Sequence, residues 1–493
     1  MRPPLSASSS APDLHSSPFY PSASAGPRSA TLPSYETQWN QPGSPSSSQF
    51  RDAPSTIKSS LQSFSIDHRS PPRSRSGSAL SVTSSTSGIV NSQLYFAIAS
   101  DRPSEVQRLL ETGEVSPNDG SGPQNPLVFA ASNEHLEHRS EIVRTLLAHG
   151  ADPSVLDKHE QPETITESQD PQRNSLKAYD PSVRSVPFLS VSYDSLPADR
   201  YYLSQAMNYK DHKPSAAIRS VPKFAPLARL RFKLIGQTLV LDEFYRALSI
   251  QALRGDNVPL VVLFCGPSGH GKSLMSRQVG DLLGCPIRFV NMTTLSSTQD
   301  VWDARSQSPT TDVIQSLGDF MCENEGKRCI VVLDEIEKTL NPRVLWALLV
   351  PWELGYCTLS SGRQVNTKEV IWIGISNLGQ SMVLEASSLT EPAAGLSVGA
   401  YRELMSRVRE KLSDELGSSL LSRVTAVLPF TPFSQEELEA LAYDAVVATV
   451  TQRQTPLTEE DMAKVVGEAV RNYLPKEGAR SLFRAVAEQM LDL

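Results

Sequence analysis

The pattern of apolar and polar positions divides the chain near residue 230. Beyond that point short apolar runs alternate with amphipathic stretches, as a parallel sheet with helical crossovers requires. Val258–Cys265, Arg328–Leu333, Val370–Ile375 and Val427–Phe430 read as buried strands, and Leu239–Leu253 as a helix ahead of the first. Glu477-Gly478-Ala479-Arg480 opens a further helix close to the C-terminus. Before residue 230 the pattern changes twice. Residues 1–91 are Ser/Pro-rich and cannot bury enough apolar surface to offset their ordering entropy, so a disordered tail is expected there. Its Arg69–Ser76 piece could serve as a phosphorylation-controlled docking site or simply as linker. Residues 157–229 are polar and Pro-interrupted, with Tyr201–Met207 the one helix-like piece, and are expected to be a linker that packs locally.

The first strand runs into Gly266-Pro267-Ser268-Gly269-His270-Gly271-Lys272-Ser273, followed by a helical pattern. Strand, glycine-rich turn and helix start come in the order of a phosphate-binding P-loop. The glycines let successive backbone N–H groups converge on phosphate oxygens, and the helix adds its positive end. Lys272 would neutralise the β- and γ-phosphates of ATP, and the Ser273 hydroxyl would ligate Mg²⁺. The second strand ends in Asp334-Glu335, which delivers two acids to the sheet edge where ligands of open α/β sheets bind. Asp334 would hold Mg²⁺ through water, and Glu335 would orient and polarise an attacking water. The third strand delivers Asn377 to the same edge.

Between tail and linker, Leu94–Ala99 followed by Val106–Gly113 returns as Pro126–Ala131 followed by Ile142–Pro153. Phe96 and Phe129 lie thirty-three residues apart, the ankyrin period, with a few extra residues near Glu134–His138 in the second unit. Residues 92–156 therefore resemble a pair of ankyrin repeats, a surface for recruiting a protein partner. Such stacks normally need about three units, so either neighbouring segments cap this pair or a further, degenerate unit is present. His135 and His138 read as surface residues, not metal ligands.

Ile235-Gly236-Gln237, Gly266–Ser273, Asp334-Glu335-Ile336-Glu337-Lys338, Ser376-Asn377-Leu378-Gly379, Arg423 and Gly478-Ala479-Arg480 occur in an order that resembles the C-terminal ATPase module of Clp-type AAA+ proteins of the ClpB class. The resemblance spans residues 230–493 and implies a large α/β domain over 230–433 and a small helical domain over 434–493. An ankyrin pair ahead of one such module is similar to the mitochondrial, ankyrin-containing branch of that family in animals. By the resemblance, Ile235 would contact the nucleotide, Asn377 would touch the γ-phosphate and attacking water, and Arg480 would contact phosphates from the small domain. Arg423 would be an arginine finger offered to a neighbouring subunit of a homo-oligomeric ring, hexameric in the family, that acts on protein substrates, including unfolded ones. The physical logic agrees, since charge developing on a transferred phosphoryl group needs bidentate cations.

Two departures stand out. Where the family carries an aromatic-glycine pore loop, this chain reads Gln299–Ser306 and lacks the gripping tyrosine. Trp302 is the only aromatic between Val290 and Phe320, and its neighbours Asp300 and Asp303 suggest an exposed loop. It reads either as a replacement grip or as a core anchor. The chain also ends about thirteen residues after Arg480, without the small strands that usually close the helical domain.

Composition narrows the rest. A net charge of −8 gives no reason to expect nucleic-acid binding, and no apolar run is long enough for a membrane span. The five cysteines lack C-x-x-C spacing and read as thiols of a reducing, intracellular compartment, cytoplasmic by preference and mitochondrial as the alternative. Two functions follow: an ATP-hydrolysing remodeller of proteins, or an ankyrin adaptor whose nucleotide domain is a switch of low turnover.

Overall fold

A computed structural model describes residues 93–491 apart from 119–123, 134, 160–196, 210–211, 256–257, 308–313, 390–394 and 454–456. The expected tail, and most of the segment after residue 157 that precedes Pro197, lie outside the described residues.

Helix α1 spans 93–99, and α2 (Pro103–Glu111), α3 (Pro126–Ala131), α4 (Arg139–Ala148) and α5 (Ser154–His159) follow at the positions of the repeated pattern. Equivalent positions of the two units bury equivalent residues: Leu94, Ala97 and Ile98 in the first, Leu127, Ala130 and Ala131 in the second. The two phenylalanines differ, Phe96 being 72% exposed while Phe129 meets Tyr95 edge-on at 5.6 Å. His135 and His138 are exposed as expected. Asp101 accepts the backbone N–H groups of Glu137 and His138, which ties the turn of the first pair to the start of α4 in the second.

The segment expected to be linker is more ordered than its composition suggests. It forms α6 (Pro197–Tyr209), α7 (Lys213–Arg219) and a 3₁₀ stretch (Ala225–Phe232) that leads into α8 (Thr238–Arg254). Tyr201, Tyr202, Phe224, Leu227 and Phe232 are all buried. These short pieces have weak helical periodicity, and only their tertiary neighbours make burial possible.

The α/β part contains strands β1 (Leu260–Cys265), β2 (Ile287–Asn291), β3 (Arg305–Gln307), β4 (Ile314–Ser316), β5 (Cys329–Asp334), β6 (Tyr356–Thr358), β7 (Gln364–Asn366), β8 (Val370–Ile375) and β9 (Ala426–Pro429). Five of them form a wholly parallel sheet in the order β2-β5-β8-β1-β9, while β3-β4 and β6-β7 are antiparallel pairs. Every residue of β1 and β8 is buried, because both faces of a parallel sheet are covered. Alternate residues of β1 serve different cores: Leu260, Val262 and Phe264 face one, Val261, Leu263 and Cys265 the other. The first core runs without a break from the N-terminal helix pairs to the C-terminal helices.

Crossovers are supplied by α9 (Lys272–Leu283), α10 (Thr298–Asp303), α11 (Leu317–Glu323), α12 (Leu349–Leu354), α13 (Gln380–Ser388), α14 (Val398–Leu416) and α15 (Ser418–Leu421). Helices α16 (Gln435–Arg453), α17 (Glu459–Arg471) and α18 (Ala479–Gln489) pack on one another, and α6 packs on both α16 and α4. Among the described residues no strand follows β9, and no helix is long and apolar enough to cross a membrane. All five cysteines are free thiols.

The expected exposed loop around Trp302 is instead the helix α10. Asp300 is the N3 residue of a capping box with Ser297, and these hydrogen bonds hold its carboxyl well below the usual range. Trp302 is 7% exposed and lies in the second core, so it is an anchor and not a free ring. Trp302→Ala is expected to destabilise the fold by about 3–5 kcal/mol, the cost of emptying a buried aromatic site. Urea denaturation measures this, and a loss under about 1 kcal/mol would contradict the burial.

Candidate nucleotide site

The P-loop connects the C-terminal end of β1 to α9, with Gly266, Gly269 and Gly271 all at positive φ and Gly271 capping the helix. Lys272 and Ser273 are the first residues of α9; Lys272 is buried, Ser273 half-buried. The Lys272 ammonium donates to the carbonyls of Gly266 and Pro267, both at 2.7 Å, and to Asn377 Oδ1 at 3.2 Å. Burial pulls its pKa down to about 8, against the opposing pull of Cys265, Glu337 and Asp334. A caged cation at a helix start, under a loop of left-handed glycines, fits a polyphosphate ligand.

Asp334 ends β5, pairs across the sheet with Asn291, and is half-buried at the same edge. Glu335 takes a left-handed conformation, φ 55°, and its carboxylate pairs with Lys338 Nζ at 2.6 Å. Asn377 follows β8, the strand that lies between β1 and β5, and so reaches Lys272. The structure thus brings Lys272 and Asn377 into contact and places Asp334 and Glu335 at the end of the adjacent strand.

The small helical domain closes one side. Arg480 Nη1 donates to Ser268 Oγ at 2.8 Å, and the Ala479 N–H donates to the Gly269 carbonyl at 2.9 Å. Gly269 has to be glycine here, because a Cβ would lie 2.0 Å from the Glu477 carbonyl oxygen. His270 is buried, stacks on Phe433 with ring centroids 5.2 Å apart, and lies 3.4 Å from the Tyr473 hydroxyl. Burial lowers its pKa to about 4, so the ring is neutral near pH 7. Ile235 is buried beside the Gly236–Gln237 turn, which abuts Phe433. Arg423 is elsewhere: its guanidinium pairs with Glu353 of α12, with Nε 3.1 Å from the carboxylate, and with Ser419 and Ser422.

Glu337, Phe433 and Tyr473 were not singled out from the sequence. Glu337 Oε1 accepts the Asn377 N–H at 3.0 Å, which fixes the backbone that carries that side chain. Its position three residues after Asp334 was the available signal; the two aromatics gave none, since they meet the loop only through folding.

This arrangement has the geometry of a P-loop phosphate-binding site, and comparisons with known proteins find the following similarities. Residues 259–427 match the family described as AAA domain (Cdc48 subfamily). A Chlamydia pneumoniae protein described as "Probable ATP-dependent Clp protease ATP-binding subunit" is 27% identical over 315 residues, 60% of this chain and 36% of that protein. The chaperone protein ClpB of Oceanobacillus iheyensis is 25% identical over 283 residues, 54% of this chain and 34% of that protein. The S. cerevisiae Hsp104-ADP complex overlaps 60% of this chain and 52% of that one, with a TM-score of 0.40 and 18% identity. The matched segment is similar to proteins of the Clp/ClpB type, and the chain spans about a third of the length of these two relatives.

Glu337→Ala leaves the Asn377 N–H without its acceptor and is expected to cost about 1–3 kcal/mol in urea denaturation. Glu337→Gln retains an acceptor oxygen and should cost less than half as much. Equal losses in the two variants would contradict the anchoring role.

Proposed function

We propose that this chain is an ATP-hydrolysing AAA+ remodeller of protein substrates that works as a homo-oligomeric ring, a hexamer by resemblance. The observation that carries it is the Lys272 ammonium held between the P-loop carbonyls and Asn377, within the electrostatic reach of Glu337 and Asp334. P-loop amides from Gly266 to Ser273 cradle the phosphates of ATP, Lys272 turns from its carbonyls to them, and Ile235 lies against the nucleotide. Ser273 and, through water, Asp334 would hold Mg²⁺, which would supply charge neutralisation to the phosphates. Glu335 aligns a water and accepts its proton. The water oxygen bonds to the γ-phosphorus as the bridging P–O bond breaks, and ADP leaves with the electron pair. Asn377 orients the same water, and Arg480 is already poised at Ser268.

Arg423 acts on the adjacent subunit, a reading supported by its pairing with Glu353 away from its own P-loop. The N-terminal helix pairs are read as ankyrin repeats that recruit a protein partner. The compartment proposed is the cytoplasm, with mitochondria as the alternative. A second reading, an ankyrin adaptor with a nucleotide switch of low ATPase activity, is favoured by one observation: Trp302 is buried and supplies no ring for gripping a polypeptide.

Lys272→Ala is expected to abolish nucleotide binding, while Glu335→Gln retains binding and loses hydrolysis by about a hundredfold or more. Fluorescent-nucleotide titration and a steady-state ATPase assay test this pair, and unchanged turnover in Glu335→Gln would overturn the assignment. Specific activity should also rise with protein concentration, and Arg423→Ala should bind ATP without hydrolysing it. Concentration-independent hydrolysis by a monomer, established by light scattering, would refute the shared site and favour the switch.

A further inference from the structure

Helix α6, outside the expected ATPase module, reaches the Gly236–Gln237 turn. The Tyr201 hydroxyl accepts the backbone N–H of Gly236 at 2.7 Å in a buried setting. Burial pushes the phenol above its usual range, so it remains a neutral hydroxyl. Gly236 and Gln237 both adopt left-handed conformations, at φ 76° and 61°. For Gln237, which has a Cβ, that conformation needs support. Its side-chain amide clasps Thr431 at both ends, donating to the carbonyl at 2.7 Å and accepting the N–H at 3.0 Å.

Thr431 lies in the segment Phe430–Phe433, against which both ends of the P-loop rest. The Phe430 N–H donates to the Cys265 carbonyl at 2.8 Å, and Gly266 approaches the Phe430 carbonyl so closely that a Cβ would come to 2.8 Å. At the other end the Phe433 ring stacks on His270, and a Cβ on Gly236 would meet that ring at 3.0 Å. An unbroken series of contacts therefore leads from Tyr201 through Gly236 and Phe433 to His270.

We propose that Tyr201 is a positioning residue for nucleotide binding: it holds the Gly236–Gln237 turn so that Phe430–Phe433 keeps the P-loop in its phosphate-binding shape. The effect falls on affinity and not on the chemical step, because none of these contacts reaches Glu335. Tyr202 provides the contrast. It is on the same helix and equally buried, but its hydroxyl accepts from Arg144 at 3.1 Å, on the side of α4 and away from Gly236.

The inference rests on the nucleotide reading of the site. Full-length wild type, Tyr201→Phe and Tyr202→Phe are titrated with methylanthraniloyl-ADP and Mg²⁺ well below their melting temperatures, with ATPase kinetics measured alongside. Tyr201→Phe strands a buried N–H and is expected to weaken binding about fivefold to tenfold, raising KM for ATP with kcat within about twofold. Tyr202→Phe should match wild type in both. Wild-type affinity in a folded Tyr201→Phe, or equal weakening in Tyr202→Phe, overturns the proposal and leaves α6 a general stabiliser. Should Tyr201→Phe not fold, Phe433→Leu removes the ring between Gly236 and His270; the same weakening supports the proposal, and unchanged binding overturns it. A wild type that binds no nucleotide overturns the proposed function as well, which separates the two failures.

Discussion

The buried ammonium of Lys272 is the constraint on which the site depends. A cation that is 6% exposed carries a desolvation penalty unless acceptors surround it, and the lowered pKa is the trace of that penalty. Three acceptors meet it from two directions: the P-loop's own carbonyls, and Asn377 carried in by β8. The strand order makes this possible, because β8 lies directly between the strand that launches the P-loop and the strand that ends in Asp334. Glu337 then holds the backbone of Asn377, so one buried charge organises three strand ends.

A glycine-rich loop has little rigidity of its own, since glycine loses more conformational entropy on ordering than other residues. Here the loop is braced from outside. Phe430 and Phe433 support its two ends, while Ala479 and Arg480 tie its crest to the small helical domain. Because α18 donates these ties, any movement of the small domain against the sheet would pull on the phosphate-binding amides. That geometry makes the helical domain part of the site and not an appendage.

The N-terminal helices belong to the same packing unit. Arg144 of α4 lies 3.6 Å from Asp444 of α16 and over the Tyr202 ring at 5.3 Å, while Arg229 bridges Glu111 and His149. Burial draws the Arg144 pKa down, but Tyr202 and Asp444 outweigh it and leave the guanidinium more firmly charged than usual. The N-terminal helix pairs pack through α4 against α6 and the 3₁₀ stretch.

What the sequence determined by itself is the chemistry that is local along the chain. The P-loop, the Asp334-Glu335 pair at the end of an apolar run and Asn377 at the end of another were legible because strand periodicity and glycine placement are properties of consecutive residues. The four helices of the repeat pair were legible for the same reason. Only the tertiary structure decided whether Trp302 lies in the core, where Arg423 points, and that Tyr201, Glu337, Phe433 and Tyr473 surround the loop. Each of those depends on partners distant in the chain, and burial or a hydrogen bond across such a separation leaves no periodic mark. Tyr201 sits in a stretch with the composition of a linker, and it gained a role only when α16 and the Gly236 turn closed around it.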